Sequence, residues 1–174
     1  MRTLLFILSF TLIFSSAVQA REPRLSPDNM VAVELVTVAM EPQSGSHVVL
    51  LREAQSGDVV PIFIGPEEAR AIILAMESIA TPRPMTHDTA AAVIRAMGGQ
   101  LERVMVDALV GNSYYGLLDI RLQADPDTPI FVDSRPSDAL ALAVRLGAAI
   151  LVAPEVLQSM RERDIETIDL GPRV

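Results

Sequence analysis

Two short stretches hold the residue types that polar chemistry requires. Asp133-Ser134-Arg135-Pro136-Ser137-Asp138 sets carboxylates and an arginine around a proline, and Arg83-Pro84-Met85-Thr86-His87-Asp88 sets an arginine, a histidine and a carboxylate around another. Both read as turns that open helices. A helix start carries unpaired N–H groups and a partial positive charge, which suit phosphate, while flanking carboxylates suit a hard cation. On that chemistry Arg83 and Arg135 grip phosphate, His87 carries a proton, and Asp88, Asp133 and Asp138 orient it or ligate a cation. A structural account of the same residues stays open: Asp88 and Asp138 compensate helix starts, Arg135 pairs with Asp133, and His87 is an ordinary turn side chain.

The elements that must position these residues follow from periodicity. Pro136 suits a first helical position, Ala139, Leu142, Ala143 and Leu146 recur at helical spacing, and Gly147 supplies the stop. Thr86 is expected as the N-cap of a helix that ends at Gly98-Gly99. A third helix is expected after Gly65-Pro66, with Ala69, Ile72, Ile73, Met76 and Ile79 on one face and Glu67 and Glu68 in the first turn. Strands are expected over Met30–Met40, over His47–Glu53 and Val59–Ile64 as a hairpin, over Leu101–Leu109 and Tyr114–Gln123 as a second hairpin, and over Ala149–Val152. Ala124–Pro129 reads as a solvated loop feeding a short strand, Ile130–Val132, and a last helix is expected from Pro154. The fold class is therefore α+β: one compact domain with a mixed, largely antiparallel sheet, two main helices and a C-terminal helical segment.

Composition removes several chemistries. The 174 residues contain no cysteine, and all 14 basic residues are arginine, so thiolate metal sites, cysteine nucleophiles, Schiff-base lysines and P-loop lysines are excluded. With only two histidines, His47 and His87, a multi-histidine zinc site has almost nothing to draw on. A formal charge of -8 repels polyanions over the surface as a whole, so any nucleic-acid contact must be local. Residues 1–20 have the pattern of a secretory signal, with Arg2, an apolar run from Leu4 to Phe14 and small residues up to Ala20. Cleavage after Ala20, a periplasmic or secreted location and no stable membrane anchor are expected. Residues 21–29 are then a flexible arm without chemistry, residues 30–158 the domain and residues 159–174 a tail. An exposed sheet edge would make a homo-oligomer plausible.

Three motifs in fixed order carry a resemblance: Ile62-Phe63-Ile64-Gly65 with Glu68-Ala69, then Arg83-Pro84-Met85-Thr86-His87-Asp88, then Asp133-Ser134-Arg135-Pro136-Ser137-Asp138-Ala139. Together they resemble the bifunctional nuclease domain family over roughly Val31 to Leu157. The resemblance implies an α+β domain and, from plant members, activity on both DNA and RNA. The leading expectation is phosphodiester hydrolysis of nucleic acid with magnesium or manganese, in which Asp133, Asp138 and Asp88 hold the cation, Arg83 and Arg135 the phosphate, and His87 the proton. The rivals are a non-catalytic binding or assembly module with a structural charged network, and a site for a small anionic ligand. The catalytic expectation requires the two proline-stiffened turns to meet in space.

Overall fold

Valine-rich and β-branched sequence from Val31 to Met40 forms β1, which runs antiparallel to β2 (His47–Glu53), itself antiparallel to β3 (Val59–Ile64). A second antiparallel meander joins β4 (Gly99–Val110), β5 (Ser113–Leu122) and β6 (Asp125–Ser134). The last strand, β7 (Ala149–Val152), inserts between the two meanders, antiparallel to β1 and parallel to β4. The result is a mixed seven-stranded sheet in the order β3-β2-β1-β7-β4-β5-β6. The computed structural model describes residues 21–41, 44–111 and 113–164, with the side chains of 163 and 164 left out. The expected leader, Asn112 of the expected turn and the tail beyond 164 lie outside those residues.

The helices are α1 (Pro66–Met76), α2 (Thr86–Ala96), α3 (Pro136–Leu146) and α4 (Pro154–Asp164), each of 11 residues. Thus the three helices expected from periodicity and the C-terminal one are all present. Since β7 is parallel to β4 and therefore to β6, the β6–α3–β7 connection must cross a sheet face, and α3 is that crossover. Its burial reflects this position: Ala139, Leu140, Ala141, Leu142 and Ala143 are all buried, a wider face than a single stripe. The alanines let α3 lie close to the sheet while α1 and α2 pack against it. Leu51, Ile72, Val104, Val106 and Leu140 meet in the core between these layers.

Four expectations change. Residues 124–129 are not a loop: β5 turns at Gln123-Ala124, and β6 runs for 10 residues. Pro126 and Pro129 are tolerated because they fall in a break of the β5–β6 register at the sheet edge, where residues 126–129 have no ladder partner on β5. The arm is not free either, since Pro27–Asn29 forms a short 3-10 turn and Arg21 is held by several side chains. In α1, Ile72 is buried as expected, whereas Ile73 and Ile79 are exposed and Ile79 lies past the helix end. At the C-terminal end, α4 continues through the expected boundary at 158. No helix among the described residues is long and apolar enough to cross a membrane.

Candidate active site

Sheet twist explains how distant helix starts come together. Neighbouring strands rotate by about 20–25°, so twist accumulates to roughly 130° across the sheet, and the ends of the outer strands β3 and β6 can face the same side. There α1 begins after β3 and α3 begins after β6. Arg135, the residue preceding α3, reaches Glu68 in the first turn of α1 at 2.8 Å. It also donates from Nε to Asp138 Oδ2 at 2.7 Å and from Nη2 to Asp138 Oδ1 at 3.2 Å. His87, in the first turn of α2, places Nε2 2.9 Å from Asp138 Oδ1. Three helix starts therefore contribute one network: Glu68, His87, and Arg135 with Asp138.

Electrostatics favours a charged Asp138. Burial pushes its carboxyl up, but the hydrogen bonds from Arg135 and His87 and their charges outweigh burial and hold it below the usual 3.8. As a carboxylate it accepts from His87 Nε2–H, which in the neutral imidazole leaves Nδ1 with the lone pair. Asp88 is separate. Its carboxylate accepts from Arg145 Nε at 2.6 Å and from the Met85 backbone N–H at 2.9 Å, and both bonds hold it below its usual value. Met85, rather than Thr86, is thus the N-cap of α2, and Asp88 reaches back to it as a capping residue does. The Asp88–Arg145 pair lines a cleft of about 310 Å³ between the end of α1, the Thr81 loop and α3.

The remaining expected residues are placed differently. Arg83 is exposed and has no side-chain partner among the described residues, while Thr81 Oγ1 holds the Arg83 carbonyl at 2.6 Å. Asp133 does not pair with Arg135; it accepts from Arg21 Nε at 2.9 Å. The three carboxylates expected to share a cation are therefore each committed to a different arginine. Among the described residues, no three His, Asp or Glu side chains gather closely enough to hold a metal ion. This donor set does not fit a protein-built cation cage.

The sequence profile of the bifunctional nuclease domain matches residues 49–164, most of the chain and all three motifs. The chain belongs to the bifunctional nuclease domain family. It is 38% identical over 128 residues to an uncharacterised protein of Mycobacterium tuberculosis, covering 74% of each. Bifunctional nuclease 2 of Arabidopsis thaliana is 27% identical over 151 residues, 79% of this chain and 46% of that protein. Bifunctional nuclease 1 of the same plant is 26% identical over 166 residues, 88% of this chain and 51% of that protein. The chain spans about half the length of these plant relatives.

Two partners of the expected site residues were not singled out from sequence. Glu68 looked like a dipole-compensating acid, and only the α1–α3 approach makes it a partner of Arg135. Arg145 carried no reading from sequence; its side chain is only 9% exposed and pairs with Asp88 of α2. Nothing in local spacing announces either contact, since each joins residues more than fifty positions apart.

Proposed function

We propose that this bifunctional nuclease domain hydrolyses phosphodiester bonds of DNA or RNA at the His87–Asp138–Arg135 network. The observation that carries the reading is the 2.9 Å His87–Asp138 contact, made by residues from two separate motifs, with an exposed arginine beside it. In this reading Asp138 orients the imidazole through Nε2, and Nδ1 takes the proton of the attacking water. Arg135 is 68% exposed, and its Nη1 has no partner among the described residues, so it offers donors to a phosphate oxygen. Arg83, exposed on the loop before α2, is a second phosphate contact. Catalytic roles thus fall on His87 and Asp138 and phosphate binding on Arg135 and Arg83. Asp88 and Asp133 hold neighbouring elements through Arg145 and Arg21. Magnesium or manganese stays in the proposal as an ion whose need the assay decides, and no step is assigned to it.

The test incubates the chain with single-stranded DNA and with RNA, in magnesium, manganese or chelator, beside Asp138→Asn. Cleavage by wild type, lost in a variant that is still folded, supports the enzyme. The arginine held by every expected carboxylate favours one alternative, a non-catalytic module stabilised by a charged network. That reading expects no cleavage from wild type and a lower melting temperature for the variant.

A further inference from the structure

A second polar site lies in the sheet itself. The β4–β5 ladder slips between Val106 and Ala108, and Asp107 is the extra residue of that bulge. Bulges re-aim side chains. Here the result is a carboxylate with no exposed surface in a strand that is otherwise apolar around it. Each of its recorded partners comes from the arm: Arg21 Nη1 at 2.7 Å, Arg21 Nη2 at 2.8 Å and the Arg24 backbone N–H at 3.0 Å. The rest of the guanidinium is also matched. Its Nε donates to Asp133 Oδ1 at 2.9 Å, Nη2 also donates to the Gly116 carbonyl at 3.2 Å, and the carbon lies 5.7 Å from the Tyr115 ring centroid.

A buried carboxylate without a counter-charge is among the more costly features a fold can carry, so this pocket demands a cation. The acceptors choose which one. A bidentate carboxylate, a second carboxylate at Nε, a carbonyl and an aromatic face match the planar fork of a guanidinium and mismatch the compact ammonium of lysine. The pocket is also joined to the candidate active site. Asp133 lies two residues before Arg135, and a Cβ on Gly116 would sit 2.9 Å from the Ser134 carbonyl and 3.2 Å from Pro136 N, so the strand under the pocket touches the turn that opens α3.

We propose that Asp107, Asp133, Tyr115 and the Gly116 carbonyl form a guanidinium-binding site whose resident ligand is Arg21 of the same chain, and which accepts a free alkylguanidinium when that side chain is removed. The site is independent of the nuclease reading, and its test reads stability rather than cleavage.

The experiment measures melting of the full chain as wild type, Arg21→Ala and Arg21→Lys, with methylguanidinium, methylammonium or sodium chloride at equal millimolar concentration. Arg21→Ala is expected to melt about 10 °C lower. Methylguanidinium then restores part of the loss along a saturable curve, as a ligand that binds only the folded state must. Methylammonium and salt do not, Arg21→Lys stays below wild type, and wild type shows no rescue because its site is filled. Adding Asp133→Asn to Arg21→Ala weakens the rescue while leaving the buried carboxylate in place. The proposal is overturned if Arg21→Ala melts with wild type, if methylguanidinium gives no recovery, or if methylammonium or salt restores as much.

Discussion

Asp138→Asn tests charge and chemistry together. The substitution keeps the shape of the side chain and removes its charge. The contact with Arg135 is largely exposed and is worth about 0.5 kcal/mol. The His87 contact is better covered, with side chains 15% and 28% exposed, and contributes about 1 kcal/mol. Together these give about 1.5 kcal/mol at neutral pH, or a fall of about 5 °C in melting temperature. The sign with pH follows from the depressed carboxyl. A group whose folded-state pKa lies below its unfolded one stabilises fully above the unfolded value and loses that contribution as pH falls through the folded value. The gap between wild type and variant is therefore expected to hold from neutral pH down to about pH 5 and to close below the ordinary 3.8. Melting by circular dichroism across that range reads it, with cleavage assayed at a temperature where both proteins are folded. A gap of the same size in strong acid would show that Asp138 acts through packing rather than charge. Undiminished cleavage by the folded variant would remove it from the chemistry.

Three further substitutions probe the frame around the site. Gly116→Ala puts a Cβ 2.9 Å from the Ser134 carbonyl and 3.3 Å from Pro136 Cα, backbone atoms that cannot swing away. A loss of about 2 kcal/mol in denaturant titration is expected, with cleavage falling because the turn bearing Arg135 moves. Arg145→Met removes a side chain that is 9% exposed and also donates to the Ala141 carbonyl at 2.9 Å. It should cost about 2–3 kcal/mol, and NMR titration should show the Asp88 carboxyl rising toward its ordinary 3.8. Ser78→Gly relieves a left-handed backbone at φ 53 after α1, where Ile79 N–H bonds back to the Leu74 carbonyl at 2.9 Å. Net of the extra freedom glycine gains in the unfolded chain, stability should rise by about 0.5 kcal/mol.

Local signals were sufficient for most elements. Pro136 and Gly147 bracket α3 as expected, with Gly147 at φ 70, and the strands of both meanders other than β6 fall within a residue or two of their periodic patterns. The β6 strand escaped because its prolines resemble loop punctuation unless the strand is known to be an edge, and edge status is a property of the whole sheet. The meeting of His87 with Asp138 was required by the catalytic expectation and is present. The pairing of Asp133 with Arg135 was the natural local choice, and it loses to Glu68 and Asp138 on one side and to Arg21 on the other. Asp107 did leave a mark in the sequence: a lone carboxylate within Val104-Met105-Val106-Asp107-Ala108-Leu109 cannot lie in an apolar strand without a partner, although nothing local says that the partner is Arg21.

The exclusive use of arginine gains a physical meaning from these pairings. Arg21 joins Asp107 to Asp133, Arg135 joins Glu68 to Asp138, Arg103 joins Glu102 to Asp119, and Arg161 joins Glu53 to Asp58. Each fork ties the arm, a helix or a strand to another segment in a chain with no disulfide. A lysine ammonium could neutralise one carboxylate in each place, but it has no rigid plane with which to hold two acceptors at once. Counting basic residues therefore overstates the positive charge available to a polyanion, because six of the described arginines, Arg21, Arg103, Arg121, Arg135, Arg145 and Arg161, are already paired with carboxylates. Under the proposed function, phosphate is met by donors that remain outward, Arg83 and the outer edge of Arg135. In the proposed reading a phosphodiester meets this acidic domain only through those outward donors, and repulsion from the rest of the surface is screened beyond about a Debye length.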